Sequence, residues 1–454
     1  MRVLHILGID RAIAYTLAGR GWSLLSGLVT LLLVAQHLTT NEQGYYFTLA
    51  SLLAMHVLLE LGMSIVVTQF ASHEMAGLNW SAQGVLEGDA RAMERMRSLI
   101  LLLCKWYGVI GALLVAIILP VGWVFFLFNE PESTVAWRGV WVWLVVATAA
   151  NVFLMPFLSL LEGCGRIAEV ARMRLYQSIV GSVAAWAVLI EGAGLLAMPV
   201  MSTALALVAL LWLWRTKLDF VKKLLAPENI GATICWRREI WPFQWRIAVS
   251  WLSGYFIFQL FTPILFAYRG SVEAGQMGMS ISIANALMGI AIAWMNAKAP
   301  GFGSLVAVRD YKTLDRVFAL TMSRSLAVMV AVGIGLCVVN YVIHARRMLY
   351  ADRLLDPLPF VLLIVATVFA YITYAQSTYL RAHKEDPFML ISLVSAVLIG
   401  CLSMLLGEQY GAVGLTAVYV SVYGIIGVGW GSLVFTRARR RWHKAAVIRR
   451  MELE

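Results

Sequence analysis

Apolar runs of about 20 residues, broken only by short charged or turn-forming segments, recur along almost the whole of this 454-residue chain. Windows between those breaks predict spans at 12–37, 44–70, 99–128, 139–161, 175–190, 194–214, 247–267, 275–297, 317–343, 357–380, 387–406 and 409–434. The runs are continuous rather than alternating, so they read as helices and not as barrel strands, which turn every second residue inward. Hydrocarbon about 30 Å thick has no water to pair with peptide groups, and a helix pairs them internally. Two separations, 191–193 and 407–408, leave room only for tight hairpins. The expected fold class is an all-α polytopic membrane protein of about twelve transmembrane helices.

Composition agrees: 61% of residues are hydrophobic and 13% charged, against roughly 45–50% and 25% in soluble domains. The formal net charge of +11 does not point to nucleic acid, because the cations sit in short loops and in a tail that carries Arg437, Arg439, Arg440, Arg441 and Lys444. With a cytoplasmic N-terminus, 28 Lys and Arg fall on cytoplasmic segments. The opposite side holds five: Arg138, Arg269, Arg346, Arg347 and Arg353. That bias makes both termini cytoplasmic and matches attraction to anionic headgroups. Trp137, Trp141, Trp143, Trp212, Trp214, Trp241 and Trp245 near span ends are expected as an interfacial aromatic belt. Residues 1–11 lack the pattern of a cleaved signal, so the first span is read as retained. The five cysteines are scattered without a CxxC pair and read as apolar fillers.

The longest cytoplasmic connection, 215–246, carries seven Lys and Arg and divides the spans six and six. The expected organisation is an N-terminal six-helix lobe over 1–214, a linker over 215–246, a C-terminal lobe over 247–436 and a basic tail over 437–454. The halves echo each other: Glu42 and Gly44 open span two as Glu273 and Gly275 open span eight, an offset of 231 residues. An even number of helices in each half makes this a parallel repeat.

Ionisable groups inside spans cost about 2.5–3.5 kcal/mol when central, so each raises a functional question. Arg20, Lys105 and Arg324 lie within two turns of the cytoplasmic ends of spans one, three and nine. Either they snorkel to the headgroups, or they converge on a cytoplasm-facing cleft as phosphate ligands. His56, Glu60 and Ser64 follow at i, i+4 and i+8 on one face of span two. A carboxylate with a His one turn away suits proton or cation coupling; a Glu paired with Arg20 for packing is the alternative. Span eight presents Ser282, Asn285, Gly289, Ala293 and Asn296 on one small, polar face, and span ten presents Thr367, Tyr371, Tyr374 and Thr378. Such residues suit a cavity for sugar hydroxyls and ring faces, and equally suit helix packing. Gly427 and Gly431 have GxxxG spacing, which marks close helix contact.

No GxxxxGK[ST] stretch is present to cradle nucleotide phosphates. His73-Glu74 opens like a zinc-peptidase motif, but Gly77 stands where the second His is required. There is no Asp-x-Asp pair for a metal-dependent transferase. The expectation is a non-enzyme with no metal, cofactor or nucleic-acid partner, surrounded by phospholipid and monomeric.

The stretch Leu38 to Leu52, with Gly44-Tyr45-Tyr46, followed by Glu60-Leu61-Gly62 and by Gln69 to Glu74, resembles the first hairpin of bacterial polysaccharide and O-antigen flippases. These belong to the multidrug/oligosaccharidyl-lipid/polysaccharide (MOP) exporter superfamily. Ala299-Pro300-Gly301-Phe302-Gly303, leading to Arg309-Asp310, is similar to the family's pattern after its eighth helix. The resemblance implies a two-lobed, V-shaped, alternating-access bundle in the bacterial inner membrane that draws on an ion gradient. Its cargo would be an undecaprenyl-diphosphate-linked oligosaccharide, the repeat unit of an O-antigen or exopolysaccharide, and its neighbours other polysaccharide-assembly membrane proteins. A drug/cation antiporter of the same superfamily and a membrane-embedded polymerase or ligase are the alternatives.

Overall fold

A computed structural model describes residues 11–81, 84–130, 132–225, 234–383 and 387–451. Part of the expected linker, residues 226–233, and the last three residues of the tail lie outside the described residues. Apart from one short antiparallel hairpin, β1 (Leu78–Trp80) against β2 (Leu86–Gly88), the described elements are helical. Among the described residues, nine helices are long and apolar enough to cross a membrane, and a bent pair in the second span makes a tenth. One of the nine, Met389–Trp442, contains a break at Gly411 (φ 55°, ψ −138°). A Cβ on Gly407 would stand 2.6 Å from Leu415, and one on Gly414 would strike the carbonyl of Leu406. Residues eight apart in a continuous helix are separated by about 12 Å, so the chain reverses here and the helix is the two spans expected at 387–406 and 409–434. The span expected at 247–267 is also broken, into Trp241–Phe258 and Phe261–Arg269. The protein is a polytopic all-α membrane protein.

The chain divides into two compact units, Met1–Leu252 and Ser253–Glu454. In the first, helices Arg11–His37, Ile167–Ile190 and Ala197–Leu225 pack together, and Trp137–Gly163 packs against the second, third and sixth spans. Arg215 to Leu225 continue the sixth helix. There Lys217 is buried, 2.6 Å from Glu169 and 5.6 Å over the ring of Trp80 on β1, and Arg166 lies 4.4 Å over the same ring. The indole donates to the carbonyl of Cys164 at 2.8 Å. This cage of ion pair and aromatic face lets two cations and a carboxylate sit in the floor of the unit.

Residues 234–240 are held to the same unit. Arg95 donates to Glu74 and to Glu239, both at 2.7 Å, and the Trp236 ring packs on Trp106 and Trp241. The Arg95 guanidinium, together with the Cys235 N–H, holds the Glu239 carboxyl below the ordinary glutamate range. A depressed carboxyl contributes stability above its unfolded value, near 4.3, and loses it as pH falls through its folded value.

Two tryptophans differ from the expected belt. Trp137 and Trp141 are buried, the latter donating to the Leu119 carbonyl at 2.9 Å with its ring seated against Gly122. Gly122 leaves no side chain where the indole enters, so the aromatic fills the groove between spans three and four. Trp143, Trp214, Trp241 and Trp245 are exposed, as belt residues should be. A π-turn over Leu114–Ile118 falls where Pro120 cannot donate to residue 116.

The corresponding glutamates of the two units serve the same hairpins. Glu42 closes a capping box with Thr39 at the start of span two, its other oxygen beside Gly194 in the turn between spans five and six. Glu273, in the first turn of span eight, accepts from the Ala412 N–H at 2.5 Å in the turn between spans eleven and twelve. Arg269 adds a 2.6 Å bond to the Gln409 carbonyl. At the other end of this unit Asp315 accepts from Tyr379 (2.7 Å) and from Arg439 (2.6 and 2.9 Å), and the His383 and Trp442 rings stack at 3.6 Å, which docks the helix Gly431–Met451.

Two measurements check this account. Gly411→Ala should cost about 1–3 kcal/mol, read as a lower Tm in detergent, because its backbone is one that only glycine adopts freely. Arg95→Ala should change tryptophan emission from the Trp236 cluster at neutral pH, and the wild type should show the same change only below about pH 4.

Candidate functional site

Span two is where local structure and chemistry meet. The helix His56–Glu60 ends at Leu61 and Gly62, both left-handed (φ 53° and 68°), and Met63–Glu74 resumes at a 41° bend. Gly62 adopts this conformation without steric penalty; Leu61 is held in it. The Glu60 side chain, 2% exposed, crosses the break: its Oε1 accepts from Ser64 Oγ at 2.5 Å and from Tyr107 on span three at 3.1 Å. The Ser64 N–H points to the same oxygen at 3.4 Å, so the carboxylate also sits at the start of the next helix, where the backbone dipole favours negative charge. The pairing of Glu60 with Arg20 considered from sequence is not formed. Among the described residues both of its side-chain partners are hydroxyls, and both reach Oε1.

His56 lies on another wall. Its Nδ1 is 2.9 Å from the Leu53 carbonyl, and the ring lines a cavity of about 460 Å³ within the first unit, among spans two, four, five and six. Asn151, Arg174, Gln177 and Ser202 line the same cavity. Asn151 Nδ2 bonds Ser202 through its carbonyl at 2.7 Å and its hydroxyl at 3.1 Å, Gln177 donates to the Leu205 carbonyl at 2.7 Å, and Arg174 pairs with Glu162 at 3.1 Å. These polar residues were not selected from the sequence. The signal available was two amides, Asn151 and Gln177, inside otherwise apolar predicted spans four and five. Arg174 had been counted as a loop cation because span five was expected to begin at 175, and the helix begins at Ile167.

In the second unit the polar faces of spans eight and ten meet. Tyr374 donates to Asn296 Oδ1 at 2.7 Å, and Asn285 and Thr367 line one small cavity with Tyr419. At about 20 Å³ it has room for a single water. Tyr371 turns instead to span nine, where its phenol bonds the buried Ser325. Ser282 and Thr378 bond back to the carbonyls of Gly278 and Tyr374 one turn earlier. A Cβ on Gly427 would lie 2.8 Å from Thr373, the close approach to span ten that its spacing suggested.

Arg20, Lys105 and Arg324 are each exposed on the surface of their own unit, and none forms an ion pair among the described residues. No group of three or more His, Cys, Asp or Glu able to hold a metal occurs among the described residues.

No family model matches the chain, and no curated protein matches it either. Solved structures share its fold. An inward-facing multidrug-resistance MATE transporter of the MOP superfamily superposes with a TM-score of 0.61 at 14% identity, over 92% of this chain and 95% of that one. The lipid II flippase MurJ, in an inward closed conformation, gives 0.59 at 14% identity, over 93% and 87%. A MATE transporter from Vibrio cholerae gives 0.58 at 13%, over 95% and 96%. Identities this low establish a shared fold.

Tyr107→Phe should cost about 1–2 kcal/mol of stability, since it removes a buried donor to a carboxylate. A Tm unchanged in detergent would show that the Tyr107 hydroxyl contributes nothing there.

Proposed function

We propose that this chain is an alternating-access carrier that moves an undecaprenyl-diphosphate-linked oligosaccharide from the cytoplasmic to the opposite leaflet of a bacterial inner membrane, coupled to an ion gradient. The observation that carries the reading is a contrast in charge along the spans. Arg20, Lys105 and Arg324 are exposed on membrane-crossing helices, whereas Glu60 is enclosed by hydroxyls. Exposed guanidinium and ammonium groups favour an anionic cargo: a diphosphate accepts bidentate bonds from Arg and a point charge from Lys. Movement of spans eight and ten apart would expose Asn285, Asn296, Thr367 and Tyr374, whose donors and acceptors suit sugar hydroxyls and which in this state close on one another around room for one water. MurJ, which shares the fold, is described as a lipid II flippase.

Glu60 is the coupling residue in this reading. Both hydroxyl donors occupy Oε1, so Oε2 is the oxygen that would take a proton or a cation. Because the carboxylate bridges the break in span two, a change in its charge bears on the angle between the two half-helices. His56, one turn earlier, faces the polar cavity and would pass charge towards it.

A drug/cation antiporter is the competing reading, favoured by the likeness to MATE transporters and by the amide-lined cavity of the first unit. Proteoliposomes separate the two. Under the flippase reading, fluorescent lipid-linked oligosaccharide becomes accessible to reagents in the opposite leaflet; efflux of cationic dyes without that movement would favour the antiporter. Arg20→Ala should slow flipping at least about tenfold at normal membrane levels, the loss expected on removing one charge-assisted phosphate contact. Glu60→Gln should remove the dependence of flipping on the ion gradient. Full, still gradient-dependent activity in Glu60→Gln would rule out the coupling role.

A further inference from the structure

A second cavity of the first unit lies at the ends of the spans rather than among them. It measures about 820 Å³ and lies at the end of the unit where spans one and two, three and four, and five and six are joined. On the Lys and Arg distribution this is the extracytoplasmic end. Its walls are Glu42, Glu130, Ser133, Arg138 and Trp143, closed on one side by backbone 192–196. We propose that this cavity is a glycan-binding subsite that receives sugar residues of the cargo on the release side, an inference that rests on the carrier reading for its substrate class.

The chemistry selects a hydroxyl-rich ligand over a phosphate. Two carboxylates face one guanidinium, so the local charge repels a diphosphate, while carboxylates and a planar guanidinium suit paired hydroxyls. The volume is within the range of about 300–1,000 Å³ typical of pockets for small ligands. Trp143 is exposed, and its indole N–H is already engaged by Thr203 at 2.9 Å, which fixes the ring while leaving apolar surface in the wall. The polar groups are held in place: Glu130 Oε2 accepts from Tyr45 at 2.9 Å, Glu42 Oε2 is fixed by Thr39 at 2.8 Å, and the Arg138 guanidinium rests 5.9 Å over the Trp137 ring. Pre-set groups bind with less loss of side-chain freedom.

The internal repeat supplies an independent observation. In the second unit the equivalent glutamate, Glu273, bonds directly to the hairpin backbone at Ala412, and Arg269 reaches Gln409 from the same face. In the first unit Glu42 is folded back onto Thr39 and lies beside Gly194 without a hydrogen bond to the hairpin, whose backbone, left-handed at Gly192 and Gly194, forms the cavity wall. The same topology thus closes a turn in one repeat and opens a chamber in the other.

The test uses the full chain in nanodiscs on a microarray of defined bacterial oligosaccharides that carry neither lipid nor phosphate, followed by titration of the best-retained glycan. At least one glycan should be retained, and Glu130→Gln and Arg138→Ala should each weaken it about tenfold. Glu132→Gln, which removes an exposed charge from the same loop outside the cavity, should leave binding unchanged. Retention of no glycan overturns the proposal, as does binding indifferent to both cavity variants. Phosphatidylethanolamine retained by the wild type and lost from Arg138→Ala in native mass spectrometry, with glycan binding intact, would assign the chamber to a phospholipid headgroup and overturn it too. Flipping assayed in parallel keeps the two readings apart. Flipping without glycan binding rejects the subsite alone, and glycan binding without flipping rejects the carrier.

Discussion

A peptide N–H in hydrocarbon has no water to turn to, and at four places where this chain departs from continuous helix a glutamate meets the exposed backbone. Glu42 reaches the Thr39 N–H, Glu60 faces that of Ser64, Glu239 takes that of Cys235 and Glu273 takes that of Ala412. An unpaired buried amide costs several kcal/mol in lipid, so a break in a span needs such a partner or it would close into helix. A carboxylate serves well because the start of a helix carries partial positive charge. Glu60 is the one of these four that lies within a span, so structural need and chemical opportunity coincide there.

Unequal use of a shared plan runs through the rest of the molecule. Each unit joins its last two spans by a glycine turn and sets a glutamate from its second helix beside it. The first unit adds an aromatic floor, with Trp80 between Arg166 and Lys217, and a polar chamber among spans two, four, five and six. In the second, polar side chains bond to one another along spans eight, nine and ten beside a cavity large enough for one water, and a larger cavity between spans nine and ten is lined mainly by apolar residues. Repeats that diverge in this way can keep one topology while dividing tasks between their halves.

The spans were legible because burial in lipid acts on every residue of a crossing segment: the predicted ranges are largely helical, with breaks at Leu61–Gly62, between Phe258 and Phe261 and at Gly411. Helix ends were less so. Ile167 to Arg174 and Arg215 to Leu225 look like polar loops by composition, yet they are helical, with Lys217 buried through its pairing with Glu169 and Trp80. Tertiary pairing of this kind leaves no periodic signature. The candidate site was legible in part. Glu60, Asn285, Asn296, Thr367 and Tyr374 stood out as polar residues in apolar runs, and the structure bonds Asn296 to Tyr374 and sets Asn285 and Thr367 on one small cavity. What could not be read was direction. His56 and Glu60 share a face on an ideal helix, but the left-handed pair Leu61 and Gly62 sends the carboxylate to Ser64 and Tyr107 while the imidazole looks elsewhere. Trp137 and Trp141 pointed to the interface by sequence and turned inward because Gly122 made room for an indole.

The ion pair between Asp315 and Arg439 has a consequence for the order in which the second unit matures. The partners are 124 residues apart, and the guanidinium belongs to a helix that leaves the ribosome after spans nine and ten. Spans nine and ten must therefore enter the bilayer with Asp315 and Tyr379 still awaiting their third member, and the stacking of His383 on Trp442 waits for the same event. Because chains are made from the N-terminus forward, the first unit can settle early while the second stays open to quality control until the helix Gly431–Met451 has been made.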